Sequence, residues 1–152
     1  MAVANQLLVF ALDEQRYALH LSAVDRVVPM VTVTPLPAAP DAVLGIFNLQ
    51  GRIVPVFDMR RRFRLAGREI RLSDQLIIAH TTRRWVALVT DAVGDVLDCP
   101  ARDVVEAQRV LPGTDYVEGV AKLEDGLILI HDLDKFLSLN EEKLLERAIS
   151  NA

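Results

Sequence analysis

The sequence predicts an all-β protein, a barrel or sandwich built by duplication of a small β unit. Three observations carry this. Short apolar clusters alternate with turn-like stretches at roughly 8–12-residue spacing, the rhythm of barrels and sandwiches. Apolar residues make up 51% of the 152 residues but aromatics only 5%, so the core is aliphatic and rich in the β-branched residues that suit strands. The two halves also repeat one another.

The elements follow in order. Residues 7–12 form an apolar cluster closed by Asp13-Glu14-Gln15, and clusters at 17–21 and 24–28 come next. Pro29, Pro35, Pro37 and Pro40 mark an extended irregular connection, since proline cannot donate to a ladder. Residues 45–49 and 53–57 flank Gln50-Gly51, a hairpin signal. Residues 58–63 read as a short helix after a strand. Clusters at 75–79 and 85–89 flank the turn at 81–84. Residues 116–123 and 127–130 flank Glu124-Asp125-Gly126 as a further hairpin. Residues 132–137 repeat the short helical turn, with Asp132, like Asp58, as its cap. The run 140–150 is the clearest helix: Leu144, Leu145 and Ala148 recur at helical spacing, and Glu141 sits near the start, where the dipole favours it.

The repeat is ordered. Asp41, Val43, Gly45 and Leu49 match Asp115, Val117, Gly119 and Leu123 at a constant offset of 74 residues. Ile53, Val54, Val56 and Asp58 continue without a gap as Leu127, Ile128, Ile130 and Asp132. Upstream, Ala18-Leu19 match Ala87-Leu88, and Val24, Val27 and Val28 match Val93, Val96 and Leu97, at an offset of 69. Glycine, aspartate and apolar positions agree together, which points to duplication. Each half, roughly 65–75 residues, is marginal alone, so the two are expected to support each other. Paired barrels create a groove and two free ends, which suit peptide or helix capture and end-to-end assembly.

The sequence offers little reactive chemistry. A single cysteine, Cys99, excludes an internal disulfide and reads as an inert buried thiol in a turn after a strand. His20, His80 and His131 each close an apolar segment, and no His-x-x-x-His or Cys-x-x-Cys spacing suggests zinc. No nucleophile elbow, P-loop or dinucleotide motif occurs. No cofactor, metal or catalytic residue is expected. Asp91, Asp95, Asp98 and Asp103 lack the calcium-loop pattern and read as a solvated strand face. Arg60, Arg61, Arg62, Arg64, Arg68 and Arg71 form a basic cluster, read as a solvated helix face or a contact for an acidic partner. A net charge of −4 and a pI near 5.3, with few stacking aromatics, weigh against nucleic acid. No apolar run spans a membrane and Met1 to Asn5 shows no signal-peptide pattern, so a soluble cytoplasmic chain is expected.

The segment Leu44-Gly-Ile-Phe-Asn-Leu-Gln-Gly-Arg-Ile-Val-Pro-Val-Phe-Asp-Met-Arg-Arg-Arg-Phe63 resembles the signature of the CheW family of chemotaxis coupling proteins. Residues 8–12, 17–19, 89–97 and 116–130 resemble other segments of that family in the right order. The resemblance implies an all-β fold of two small five-stranded SH3-like β-barrels with short helices and a C-terminal helix. The CheW-like domain would span 6–139, with barrel units at about 15–72 and 73–139, the first strand 6–12 pairing with the second unit, and 140–152 forming the helix. It implies a non-enzymatic adaptor joining the cytoplasmic tips of methyl-accepting chemoreceptors to the regulatory domain of a CheA-type histidine kinase. Assembly into rings with the kinase or itself, and location at receptor arrays on the inner face of the membrane, are implied too.

Carried over residue by residue, the resemblance places Val24, Val27, Val93 and Val96 at apolar partner-binding positions. Asn48, Leu49 and Gly51 match the signature turn. Two departures stand out. Gln50 replaces the signature arginine, and Arg26 replaces a carboxylate found in several members; if the two positions meet, an acid–base pair has been replaced. That puts the usual receptor contact in question and opens an alternative, a scaffold of a pilus-based or surface-sensing motility pathway. A nucleic-acid-binding double barrel and an enzyme with an unrecognised groove site are the more remote readings.

Overall fold

A computed structural model describes residues 5–63, 65–106, 117–124 and 126–150. The strands are β1 (Asn5–Leu12), β2 (Gln15–His20), β3 (Val24–Pro29), β4 (Val43–Leu49), β5 (Arg52–Asp58), β6 (Gln75–His80), β7 (Trp85–Thr90), β8 (Ala92–Cys99), β9 (Val104–Glu106), β10 (Val117–Leu123) and β11 (Gly126–His131). They form a five-stranded sheet, β3-β6-β7-β5-β4, and a six-stranded sheet, β8-β1-β2-β11-β10-β9. Two helices, α1 (Met59–Arg62) and α2 (Leu139–Ser150), complete the elements used below. Tyr116 and Asp125, assigned above to a hairpin, lie outside the described residues.

Five strands of the six-stranded sheet match the five of the other, but the sheets do not follow the division at 15–72 and 73–139. The hairpin β6–β7 belongs to the second repeat and completes the sheet of β3, β4 and β5. The hairpin β1–β2 belongs to the first and completes the sheet of β8, β10 and β11. Both strands of each hairpin cross over, so not only residues 6–12 but also β2 lies with the second set. The register is equivalent in both sheets. Val56 pairs with Ala87 in parallel, as Ile130 does with Ala18. Val27 pairs with Ile77, as Val96 does with Leu8. Even the bulges recur, at Val43/Gly45 and at Val117/Gly119.

Burial explains the exchange. Leu7, Val9 and Ala18 fill the interior of the six-stranded sheet, while their neighbours Leu8, Phe10, Tyr17 and Leu19 fill a core between the sheets. Leu76, Ile78, Ala87 and Val89 fill the five-stranded sheet, while Ile77, Ala79, Val86 and Leu88 face the shared core. These hairpins have no solvent face, which is why they read as unbroken apolar runs. Sequence comparison pairs equivalent strands but cannot tell which of two equivalent sheets receives a hairpin.

The glycine of each repeat marks a close approach. A β-carbon on Gly45 would stand 2.1 Å from the Thr34 carbonyl oxygen, where Thr34 bridges Ile46. A β-carbon on Gly119 would stand 2.7 Å from Val104, where β9 crosses β10. The sixth strand is thus the counterpart of a single bridge in the other sheet.

The helices seal the shared core. Asp58 caps α1, accepting from the N–H groups of Arg60 at 2.9 Å and Arg61 at 3.4 Å. Asp132 accepts from Asp134 N–H at 3.1 Å. Ser138 and Glu141 form a reciprocal capping box for α2: Glu141 N–H donates to Ser138 Oγ (3.2 Å) and Ser138 N–H to Glu141 Oε1 (3.0 Å). Leu145 and Ala148 are buried in the shared core, whereas Leu144 is 45% exposed. The apolar face is therefore narrower than its spacing suggested. Arg84, at the β6–β7 turn, holds α2 through Glu142 (2.9 Å) and Glu146 (3.3 Å).

Candidate functional site

Val24 and Val27 lie on β3, and Val93 and Val96 on β8; each strand is an edge of its sheet. Val24 and Val93 are half-buried against the same shared core. Val27 is 36% exposed and Val96 46% exposed, at equivalent registers opposite Ile77 and Leu8. The four valines thus divide by pairs. One pair anchors the edges into the core, and the other presents apolar surface beside it.

Asn48, Leu49, Gln50 and Gly51 build the tip of the β4–β5 hairpin. Gln50 has φ 50° and Gly51 φ 88°, positive at both central positions, as a type I′ turn requires. Asn48 Oδ1 accepts from Gly51 N–H at 2.7 Å and locks the turn. Leu49 is half-buried against the five-stranded core. The signature turn residues therefore have a conformational role in this chain. Arg26 lies on β3 and Gln50 in the β4–β5 turn, and the Arg26 Nε donates to Asp25 at 2.5 Å.

The basic cluster is a free surface only in part: Arg61 and Arg71 are exposed, but Arg60, Arg62 and Arg68 are held inward, contrary to the sequence expectation. Arg60 is buried and donates to Asp13 (2.6 Å) and Asp91 (2.6 Å). Arg68 donates to Asp74 (2.7 Å) and to Asp91 (2.6 Å). Arg62 lies near Glu141 at 3.5 Å and over the Phe136 ring at 5.4 Å. Burial pushes the Asp91 carboxyl up, but the Asp13 N–H bond and the two guanidiniums outweigh it and hold Asp91 below the ordinary carboxylate range. Asp74 is held low in the same way, by Arg68 and the Arg71 N–H against its burial. Asp91 is therefore a network member rather than part of a solvated face. The network ties the tip of the exchanged β1–β2 hairpin to α1 and to the start of β8. Spacing could not reveal it, because Asp13 and Asp91 are far from Arg60 and Arg68 in sequence. Arg64 lies outside the described residues.

Cys99 is buried as the last residue of β8, not in the turn beyond it, and burial raises its thiol pKa. His131 is buried between the rings of Phe63 and Phe136, at 5.3 and 5.1 Å. His20 pairs with Glu118 and His80 rests against Trp85. Among the described residues no three His, Cys, Asp or Glu side chains are grouped to hold a metal ion, and no helix is long and apolar enough to cross a membrane. Sequence reading missed the exposed pair Ile53 (50%) and Leu127 (53%), although the repeat already aligned them.

Fold and surface together define a paired-barrel scaffold whose distinctive exposed features are strand edges and hairpin tips. The model of the CheW-like domain matches residues 6–141, and the chain belongs to that family. It is 30% identical to the "Chemotaxis protein CheW" of Klebsiella aerogenes over 95% of this chain and 88% of that protein. It is 28% identical to the protein of the same name from Rhizobium meliloti over 91% of each chain. Among solved structures, the scaffolding protein TtCheW from Thermoanaerobacter tengcongensis superposes with a TM-score of 0.84 at 31% identity, covering 91% of this chain and 96% of that one.

Proposed function

We propose that this chain is a non-enzymatic chemotaxis adaptor that couples chemoreceptor tips to the regulatory domain of a CheA-type histidine kinase in the cytoplasm. The observation that carries this reading is the exposure of Val27 and Val96 at equivalent edges beside the shared core. Exposed aliphatic residues flanking a packed core serve as anchors for partner capture. Such an adaptor works by contact energy: it transmits a signal when receptor and kinase states bind it differently.

The test is capture of the purified cognate kinase regulatory domain. The wild-type protein forms a complex, and Val27→Glu weakens it at least about tenfold with unchanged circular dichroism, since a buried unpaired charge at an interface is costly. No complex with any cognate kinase at tens of micromolar sinks the reading. A second reading, a scaffold for pilus-based or surface-sensing motility, is favoured by one observation: Arg26 already pairs with Asp25, and a neutral Gln50 stands in the turn. A receptor tip from such a pathway then binds in preference to a chemotaxis receptor tip.

A further inference from the structure

The exposed valines stand where the shared core meets solvent. Val27 lies opposite Ile77 and Val96 opposite Leu8, and Ile77 and Leu8 both face that core. Directly opposed residues share a face of the sheet. Val27 and Val96 therefore carry the apolar surface of the core outward onto two rims, one on each barrel.

Each rim has a bulge at the same place. Asp25 and Arg26 share the position opposite Ile78, and Gly94 and Asp95 the position opposite Val9. A bulge bends an edge strand and re-aims the side chain it carries. The repeat makes Asp95 the counterpart of Arg26, at the offset of 69 that also relates Val27 to Val96. The valines of the two rims agree, and the charge beside them is opposite. Both charged side chains are exposed. Asp25 holds the Arg26 Nε, while the terminal nitrogens, the fork that takes a carboxylate, donate to no described residue. Asp95 forms no ion pair among the described residues.

The same core shows what closes it elsewhere. The helix α2 sets Leu145 and Ala148, three residues apart, against the core, and Glu142 and Glu146 bind Arg84 from its flank. A helix with an apolar stripe and a charged flank is thus the form this core accepts from its own chain.

We propose that the two open rims seat one further helix, supplied by a partner. Its apolar stripe covers Val27 and Val96, and its flanks are oppositely charged, with a carboxylate toward Arg26 and a basic side chain toward Asp95. The opposed charges fix the direction in which the helix lies, because turning it end for end sets like charges against each other. This deepens the adaptor reading and rests on it, with the chemoreceptor tip as the source of the helix.

The test is calorimetric titration of the full chain with purified cytoplasmic fragments of its cognate chemoreceptors. Arg26→Glu and Asp95→Lys change exposed residues and leave the circular dichroism as it is. Each weakens binding at least about tenfold at low salt, and the loss shrinks at about 1 M salt, where the screening length falls to about 3 Å. Both reversals weaken binding only when the partner's flanks differ in charge. A reversal that tightens binding means a partner of a single sign and overturns the proposal, as do two variants that bind like wild type. Arg26→Gln and Asp95→Asn remove charge without reversing it and give smaller losses of the same sign, which keeps the test decisive if a reversal folds poorly. Wild type that captures the kinase domain but no receptor fragment overturns the proposal alone. Wild type that captures neither overturns the adaptor reading with it.

Discussion

His131 shows how one residue couples packing to solution behaviour. It ends β11, buried between two phenyl rings, and its pKa is lowered to about 3, first by burial and then by the charge of Arg62. The folded state thus keeps the ring neutral, while the unfolded chain protonates it below about pH 6.5. The stability it contributes is complete above that pH and is lost as pH falls toward 3, by up to about 1.4 kcal/mol per pH unit. Phe57 holds the equivalent place in the other repeat and is fully buried. His131→Phe therefore flattens the decline in denaturant midpoint between about pH 6.5 and 4. An unchanged slope in that variant refutes the account. Asn48 and Gly51 act at the same scale: an amide and a residue tolerant of positive φ fix one turn.

At the scale of elements, α2 shows what a helix adds when little of it is apolar. Its capping box satisfies the first turn, and Arg62 and Arg84 tie it to both ends of the five-stranded sheet's own connections. Its packing rests on Leu145 and Ala148. Leu145→Ala costs about 2–5 kcal/mol, as a truncated buried leucine does, and Leu144→Ala stays within about 0.5 kcal/mol, as exposed substitutions do. Urea unfolding of the two variants measures both; equal losses would mean that the helix buries a different face. The edge strands β3 and β8 are the other elements of consequence. Each is half-buried on one side and open on the other, so they combine stability with contact.

For the whole molecule, the exchanged hairpins decide cooperativity. Each barrel is completed by a hairpin from the other repeat, and the largest core lies between them. The two barrels therefore unfold as one unit. Trp85, the single tryptophan, reports on the five-stranded barrel, and far-ultraviolet dichroism reports on both. Their urea transitions coincide; separated midpoints would show independent barrels. The Asp13–Arg60–Asp91–Arg68–Asp74 network reinforces this coupling, since it clasps the tip of one exchanged hairpin. The other tip is held by Thr82 N–H donating to Asp134 at 2.8 Å. Asp134 follows its cap Asp132 by the same interval at which Arg60 follows Asp58.

By itself the sequence determined the strand rhythm, the duplication, both capping aspartates, the Gln50-Gly51 turn and the family signature. These are local properties, written in alternation, turn chemistry and spacing. Tertiary structure alone decided which sheet receives each hairpin, because equivalent repeats offer two sites with the same register and burial. It alone turned Arg60 and Arg68 from an apparent basic patch into inward-held ion pairs, because Asp13 and Asp91 arrive from distant turns. It also separated Val27 and Val96 from Val24 and Val93, since exposure depends on where the second sheet ends, not on residue type.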